Sequence, residues 1–173
     1  MDQLQQRIYY KDEILRCAHI CGGVTGQHVD SLCPDETVLR MILESGRLHK
    51  VPIQVGYGKN ARKITVFEDS HHALRRKSNA LDSSSAKDMC YLNDTYLRFR
   101  NEATNWLDMD DIASIAAKEN VAEMWKRPRL MFYVGDKLCG IILSRKARPS
   151  NDIIKAEIAK KFGLNRCIEI LID

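Results

Sequence analysis

RLMFYVGDKLCGIILS, residues 129–144, reads as two strands joined by a tight turn at Gly135-Asp136. The downstream residues fix its setting. Ser150 opens a helix with Ile154, Ile158 and Phe162 at four-residue spacing, and Gly163 ends it. CIEILI then closes the chain as a strand, with Ile168, Ile170 and Ile172 on one face. Upstream, Asp108 or Asp110 starts a helix through IASIAAKENVAEMW, its apolar face carrying Ile112, Ile115 and Ala116, and Pro128 closes it. The order from 108 to 173 is therefore helix, hairpin, helix, strand.

Tested as a helix-turn-helix, EIAKKFGLNRCIEIL offers Ala159, Gly163 and Leu164 at the usual small, turn and apolar positions. Glu169 then falls where an apolar residue belongs, and CIEILI alternates like a strand. Hairpin-helix-strand is the better reading.

The same order can be laid over the first half. CPDETVLRMILESG, from Cys33, is a helix with Pro34 and two acids at its start and Gly46 at its stop. VPIQVGYGKNARKITVFE (51–68) reads as a second hairpin turning at Gly58-Lys59-Asn60. DSHHALRRKSNAL is a short helix begun by Asp69 or Ser70. LDSSSAKD reads as a linker, and YLNDTYLRFR as a partly alternating segment with Leu97 and Phe99 on one side. The hairpins begin at Val51 and Arg129, 78 residues apart. The fold class expected is α+β, with helix–hairpin–helix–strand occurring twice, as a duplicated pair of subdomains or as one domain that repeats the order by chance. The divisions are an N-terminal helix and Gly/Cys-rich turn (1–33), a first half (34–100) and a second half (101–173).

Composition sets the compartment. The chain has 173 residues, 45% hydrophobic and 29% charged, with a net charge of +4. That balance suits a globular protein with its own core. No apolar run approaches the roughly 20 residues that span a bilayer. The start, MDQLQQRIYYKDE, lacks the apolar segment of a signal peptide. The expectation is an intracellular protein, of cytoplasm or nucleus, without a membrane partner. Six cysteines in a reducing compartment are free, metal-bound or packed in the core rather than bridged.

RCAHICGGVTGQHVDSLC (16–33) concentrates three of those cysteines. Cys17, Cys21, His28 and Cys33 form C-x3-C-x6-H-x4-C, four donors of the kind tetrahedral zinc takes, with His19 as a fifth. The spacing is not a standard zinc spacing, and two thiols one helical turn apart are also what a packed core contains. No cofactor is otherwise expected. C-x3-C is not the C-x-x-C of thiol exchange. Catalytic patterns are missing: there is no P-loop, G-x-G-x-x-G, H-E-x-x-H or G-x-S-x-G. LDMDD carries three carboxylates that suit a hard cation or, more simply, a helix start. His71-His72 can serve as a base or sit solvated at the surface.

Positive charge is clustered. Lys59, Arg62 and Lys63 form one group; Arg75, Arg76 and Lys77 a second; Lys126, Arg127 and Arg129 a third; Arg145, Lys146 and Arg148 a fourth. Such groups displace counterions from phosphates, and Tyr57, Trp125, Phe132 and Tyr133 lie near enough in sequence to stack on bases if exposed. Solvated surface and strand gatekeeping explain the charges equally simply. Three functions stay open at this point. The first is a non-enzymatic module binding DNA or RNA through these clusters. The second is a protein-interaction or assembly subunit, homo-oligomers included. The third is an enzyme with no recognisable motif.

Overall fold

The computed structural model describes residues 2–56, 59, 61–75 and 81–172. The chain divides into two compact units, Met1–Tyr96 and Leu97–Asp173.

In the first unit, helix α1 spans Gln3–Cys21. Asp2 opens it with a capping box: its carboxylate accepts from the Gln5 amide at 2.8 Å, and Gln5 Oε1 accepts from the Asp2 amide at 3.1 Å. Gly22 closes it in the left-handed region at φ +83°. Strand β1 is Gly23–Thr25, α2 is Gly26–Leu32 and α3 is Glu36–Glu44. Asp35 caps α3 through the Thr37 amide at 2.9 Å. Strands β2 (Leu48–Val55) and β3 (Arg62–Asp69) pair antiparallel. Helix α4 (Ser70–Arg75) comes next, then α5 (Ser83–Phe99), whose last three residues, from Leu97, belong to the second unit. The sheet order is β1-β3-β2. Ile53, Val55 and Val66 pack with Ala86 and Met89 of α5 to form one side of its core.

The second unit holds β4 (Asn105–Leu107), α6 (Met109–Lys118), a 3-10 turn at Met124–Lys126, β5 (Leu130–Val134), β6 (Lys137–Ser144), α7 (Ser150–Phe162) and β7 (Arg166–Leu171). Sheet order is β4-β5-β6-β7. β5 and β6 form the expected hairpin, with Val134 opposite Lys137 and Gly135 at φ +62°. β6 and β7 run parallel, joined through α7, the connection a parallel pair requires. Met131 and Ile142 face a cluster with Ile112, Ala116, Ile158 and Phe162 from the two helices. Phe132, on the alternate face of β5, stacks with Trp106 and Phe99 at ring separations of 4.6 and 5.1 Å.

The class is α+β, as the sequence implies. In the second half, helix, hairpin, helix and strand appear in the expected order. The first half differs at its last element: residues 83–99, read as linker and alternating segment, are helix α5. Asp82 starts it, its carboxylate accepting from the Ser85 amide at 2.6 Å. Ala86, Met89, Leu92, Tyr96 and Phe99 are buried at three- and four-residue steps, the stripe of one helical face. The two sheets also differ in content, since among the described residues only the second contains a parallel pair. α6 stops at Lys118 rather than running to Trp125. Asn120 takes φ +55°, and the Val121 amide closes back on the Ala116 carbonyl at 2.8 Å. The 1–33 segment is not separate, because β1 pairs with β3 through Val24 and Phe67. Gly23 is closely packed there: a Cβ would sit 2.8 Å from Met89 Sδ and 3.2 Å from the Phe67 carbonyl, so its neighbours would have to shift. The expected turn at Gly58-Lys59-Asn60 has only Lys59 among the described residues. No helix among the described residues is long and apolar enough to cross a membrane.

Candidate nucleic-acid interface

A pocket of about 440 Å³ opens in the second unit, where β6 ends and α7 begins. Trp125, Ser144, Arg145, Lys146, Arg148 and Asn151 line it, over an apolar floor that includes Ile142 and Ile154. The local sequence explains the shape. β6 runs out at Ser144, and Pro149 precedes α7 without offering a side-chain cap to the first-turn amides. The connecting loop is tied down by Asn151, whose Nδ2 donates to the Lys146 carbonyl at 2.9 Å and to Glu169 Oε1 at 2.5 Å. Arg145, Lys146 and Arg148 are exposed on this loop.

Trp125 is 63% exposed, an unusual state for the largest apolar side chain. Lys126 Nζ lies 5.0 Å from the ring centroid, a cation–π contact that leaves the residue open to solvent. The nearby carboxylates of Asp152 and Glu169 face Lys155, at 2.7 and 3.7 Å. The Asp152 hydrogen bond holds the Lys155 ammonium above its ordinary pKa. The groove thus combines three guanidinium or ammonium groups, the uncapped start of a helix and one exposed indole. Cations and helix-start amides both favour phosphate oxygens, and an indole face stacks on bases.

The structure brings only some of the expected basic residues here. Lys126 sits over Trp125 and also meets Glu123 at 3.7 Å. Arg127 is engaged elsewhere: its guanidinium donates to the Val121 carbonyl at 3.1 and 2.7 Å and to the Ala122 carbonyl at 3.3 Å. Arg129 is half-buried and lines a smaller, apolar pocket of about 80 Å³ with Met109, Ile112 and Met124. WKRPR is therefore split between groove, backbone and core. Lys59, Arg62 and Lys63 are exposed in the first unit. The side chain of Arg75, and Arg76, Lys77 and Tyr57, lie outside the described residues. Phe132 is fully buried, so it serves the core and not stacking.

The cysteine-histidine stretch is built into the first unit's interior. Cys17 and Cys21 are buried on α1, and Asn93 Nδ2 lies 3.6 Å from Cys17 Sγ. Cys33 Sγ exchanges hydrogen bonds with the Asp35 backbone at 3.3 Å, and burial pushes its thiol pKa up. His28 is held between Thr25 Oγ1 at 2.5 Å and Asp94 Oδ1 at 2.8 Å. Among the described residues, the group of His, Cys and Asp/Glu donors close enough to share an ion is a different one, His19, Asp69 and His72.

Thr25, His28 and Asp94 carry the hydroxyl–imidazole–carboxylate connectivity of a nucleophilic triad. Thr25 is 0% exposed, so its hydroxyl has no path to a substrate carbonyl. Asn93 Oδ1 accepts from the Thr25 amide at 3.0 Å and fixes the same residue into the fold. Cys90 nearby is half-buried, and burial raises its thiol pKa, which lowers the thiolate fraction a nucleophile needs. In LDMDD, Asp108 accepts from the Asp110 and Asp111 amides at 2.8 Å each and Asp111 returns the bond, a capping box at the start of α6. No protein family, curated protein or solved structure matches the chain.

Proposed function

We propose that the chain is a nucleic-acid-binding module whose second unit takes single-stranded or unpaired DNA or RNA. One base stacks on Trp125, and Arg145, Lys146 and Arg148 hold the flanking phosphates. The observation that carries this is the placing of an exposed indole in the same groove as three cations and a helix start. Each component alone is ordinary surface. Together they supply the stacking platform and the charged track that single-strand binding uses. The net charge of +4 gives long-range attraction of the right sign.

The test is fluorescence anisotropy of a labelled 20-nucleotide single strand, titrated with protein at low and at physiological salt. Three phosphate contacts give log affinity a slope of about −2 against log salt. Arg145→Glu with Arg148→Glu is expected to lower affinity at least tenfold and to flatten that slope. Binding that ignores both salt and charge reversal contradicts the proposal.

One observation favours a second reading, a protein-interaction subunit. β7 is an edge of the second sheet, with Leu171 53% exposed and Ile168 and Ile170 only half-buried. Edges of this kind accept an added strand from a partner or from a second copy. In that case sedimentation shows oligomers that persist in salt, and the single strand does not bind.

A further inference from the structure

Three of the chain's five histidines converge at one end of the first unit. His19 comes from the last turn of α1, and His71 and His72 from the first turn of α4, more than 50 residues later. Their rings stand 5.8 to 6.3 Å apart, centroid to centroid. Asp69, the last residue of β3, sits among them, with Oδ2 4.0 Å from His19 Nδ1. One donor atom from each of His19, Asp69 and His72 lies within 4.8 Å of the other two.

From this geometry we infer a transition-metal site, of the zinc class, at His19, Asp69 and His72, with His71 or water completing the shell. Imidazole and carboxylate are donors that zinc takes, at about 2.0–2.2 Å. Tetrahedral ligands at such bond lengths stand about 3.4 Å apart. Closing from 4.0 Å asks little of His19, whose side chain is 45% exposed.

The supporting contacts are those a metal site needs. Asp69 Oδ1 accepts from the backbone amides of His71 and His72, at 3.0 and 3.3 Å, which turns Oδ2 toward His19. His72 Nε2 lies 2.8 Å from the His19 carbonyl and can only donate to it, which leaves Nδ1 as the nitrogen with the lone pair. Ligating histidines usually present one nitrogen to the metal and the other N–H to a carbonyl or carboxylate. Asp69 is anchored by its pairing with Leu48, and the next residue, Ser70, donates its amide to the Arg47 carbonyl at 3.1 Å. The ion would clip the end of α1 to the junction of β3 and α4. The site is wholly within the first unit and does not depend on the proposed nucleic-acid function.

The test uses the full chain without a histidine tag, stripped with chelator and titrated with zinc against a chromogenic competitor. Magnesium serves as the hard-ion control. One equivalent of zinc is expected to bind and to raise the unfolding temperature, while magnesium does neither. His19→Ala, on a side chain that is 45% exposed, is expected to weaken zinc binding at least tenfold and to abolish the thermal shift. His49→Ala, on an exposed residue of β2 outside the cluster, is expected to bind like the parent. Unbound zinc in the parent overturns the inference. So does zinc binding that survives His19→Ala, or that is lost in Cys33→Ser while His19→Ala retains it.

Discussion

The two units solve the same packing problem with different chemistry. In the first, buried positions include Glu13, Thr25, His28, Glu68, Asn93 and Thr95. In the second, the buried side chains among the described residues are apolar: Phe99, Ile112, Leu130, Met131, Phe132, Ile141, Ile158 and Phe162 among them. The first unit assembles its sheet from distant pieces, with β1 joining β3 over some forty residues of chain. Polar side chains specify that assembly. Asn93 Oδ1 takes the Thr25 amide, and its Nδ2 donates to the Gly23 carbonyl at 3.0 Å. The second unit is built mostly from neighbours in sequence, a hairpin and a β-α-β crossover to which β4 is added at the edge, and apolar periodicity and turns can specify these. Its polar residues stay outside, and there they form the groove.

The contrast can be broken most sharply in the apolar core. Phe132→Ala removes the ring that Trp106 and Phe99 stack on and leaves a cavity. A loss of about 3–5 kcal/mol is expected, read from denaturant unfolding. A loss below about 1 kcal/mol would mean that the second unit does not depend on tight packing. A smaller change sharpens the comparison. Asn93→Leu keeps the branched shape and the number of side-chain heavy atoms but strands the Thr25 amide and the Gly23 carbonyl, and about 2–4 kcal/mol is expected to go. Met131→Leu, a change of equal modesty in the second unit, is expected to cost less than about 1.5 kcal/mol. Equal losses from these two would remove the distinction between a polar-stitched and an apolar core.

That distinction also explains what can be read from the sequence. The hairpin at 129–144 and the helix and strand after it are legible because Gly135-Asp136, Gly163 and the isoleucine spacing are local signals. The polar-stitched unit hides its logic. Thr25 looks like part of a glycine-rich turn, and its strand partner lies at Val66. Ser83, Ser84 and Ser85 resemble a linker, although Asp82 makes them the first turn of α5. The stripe Ala86, Met89, Leu92, Tyr96 is present in the sequence, but the serines before it point the other way. The basic residues of the groove are visible as charge, but only the fold separates Arg148, in the groove, from Arg127, bound to carbonyls. The His19, Asp69 and His72 cluster has no sequence spacing to betray it, since a strand and two helices bring it together.

The central claim is that Trp125 is a stacking platform in a phosphate-binding groove, and its own emission reports on it. Trp106 stacks on a buried ring and is itself half-buried, so Trp125 is the more exposed of the two indoles. Titration of the protein with a single-stranded 20-mer at physiological salt is expected to quench the exposed component saturably. Trp125→Ala is expected to lose about 1–3 kcal/mol of binding, a drop in affinity of about 5- to 150-fold by anisotropy. Emission unchanged at saturating strand, with affinity equal in parent and Trp125→Ala, would contradict the account.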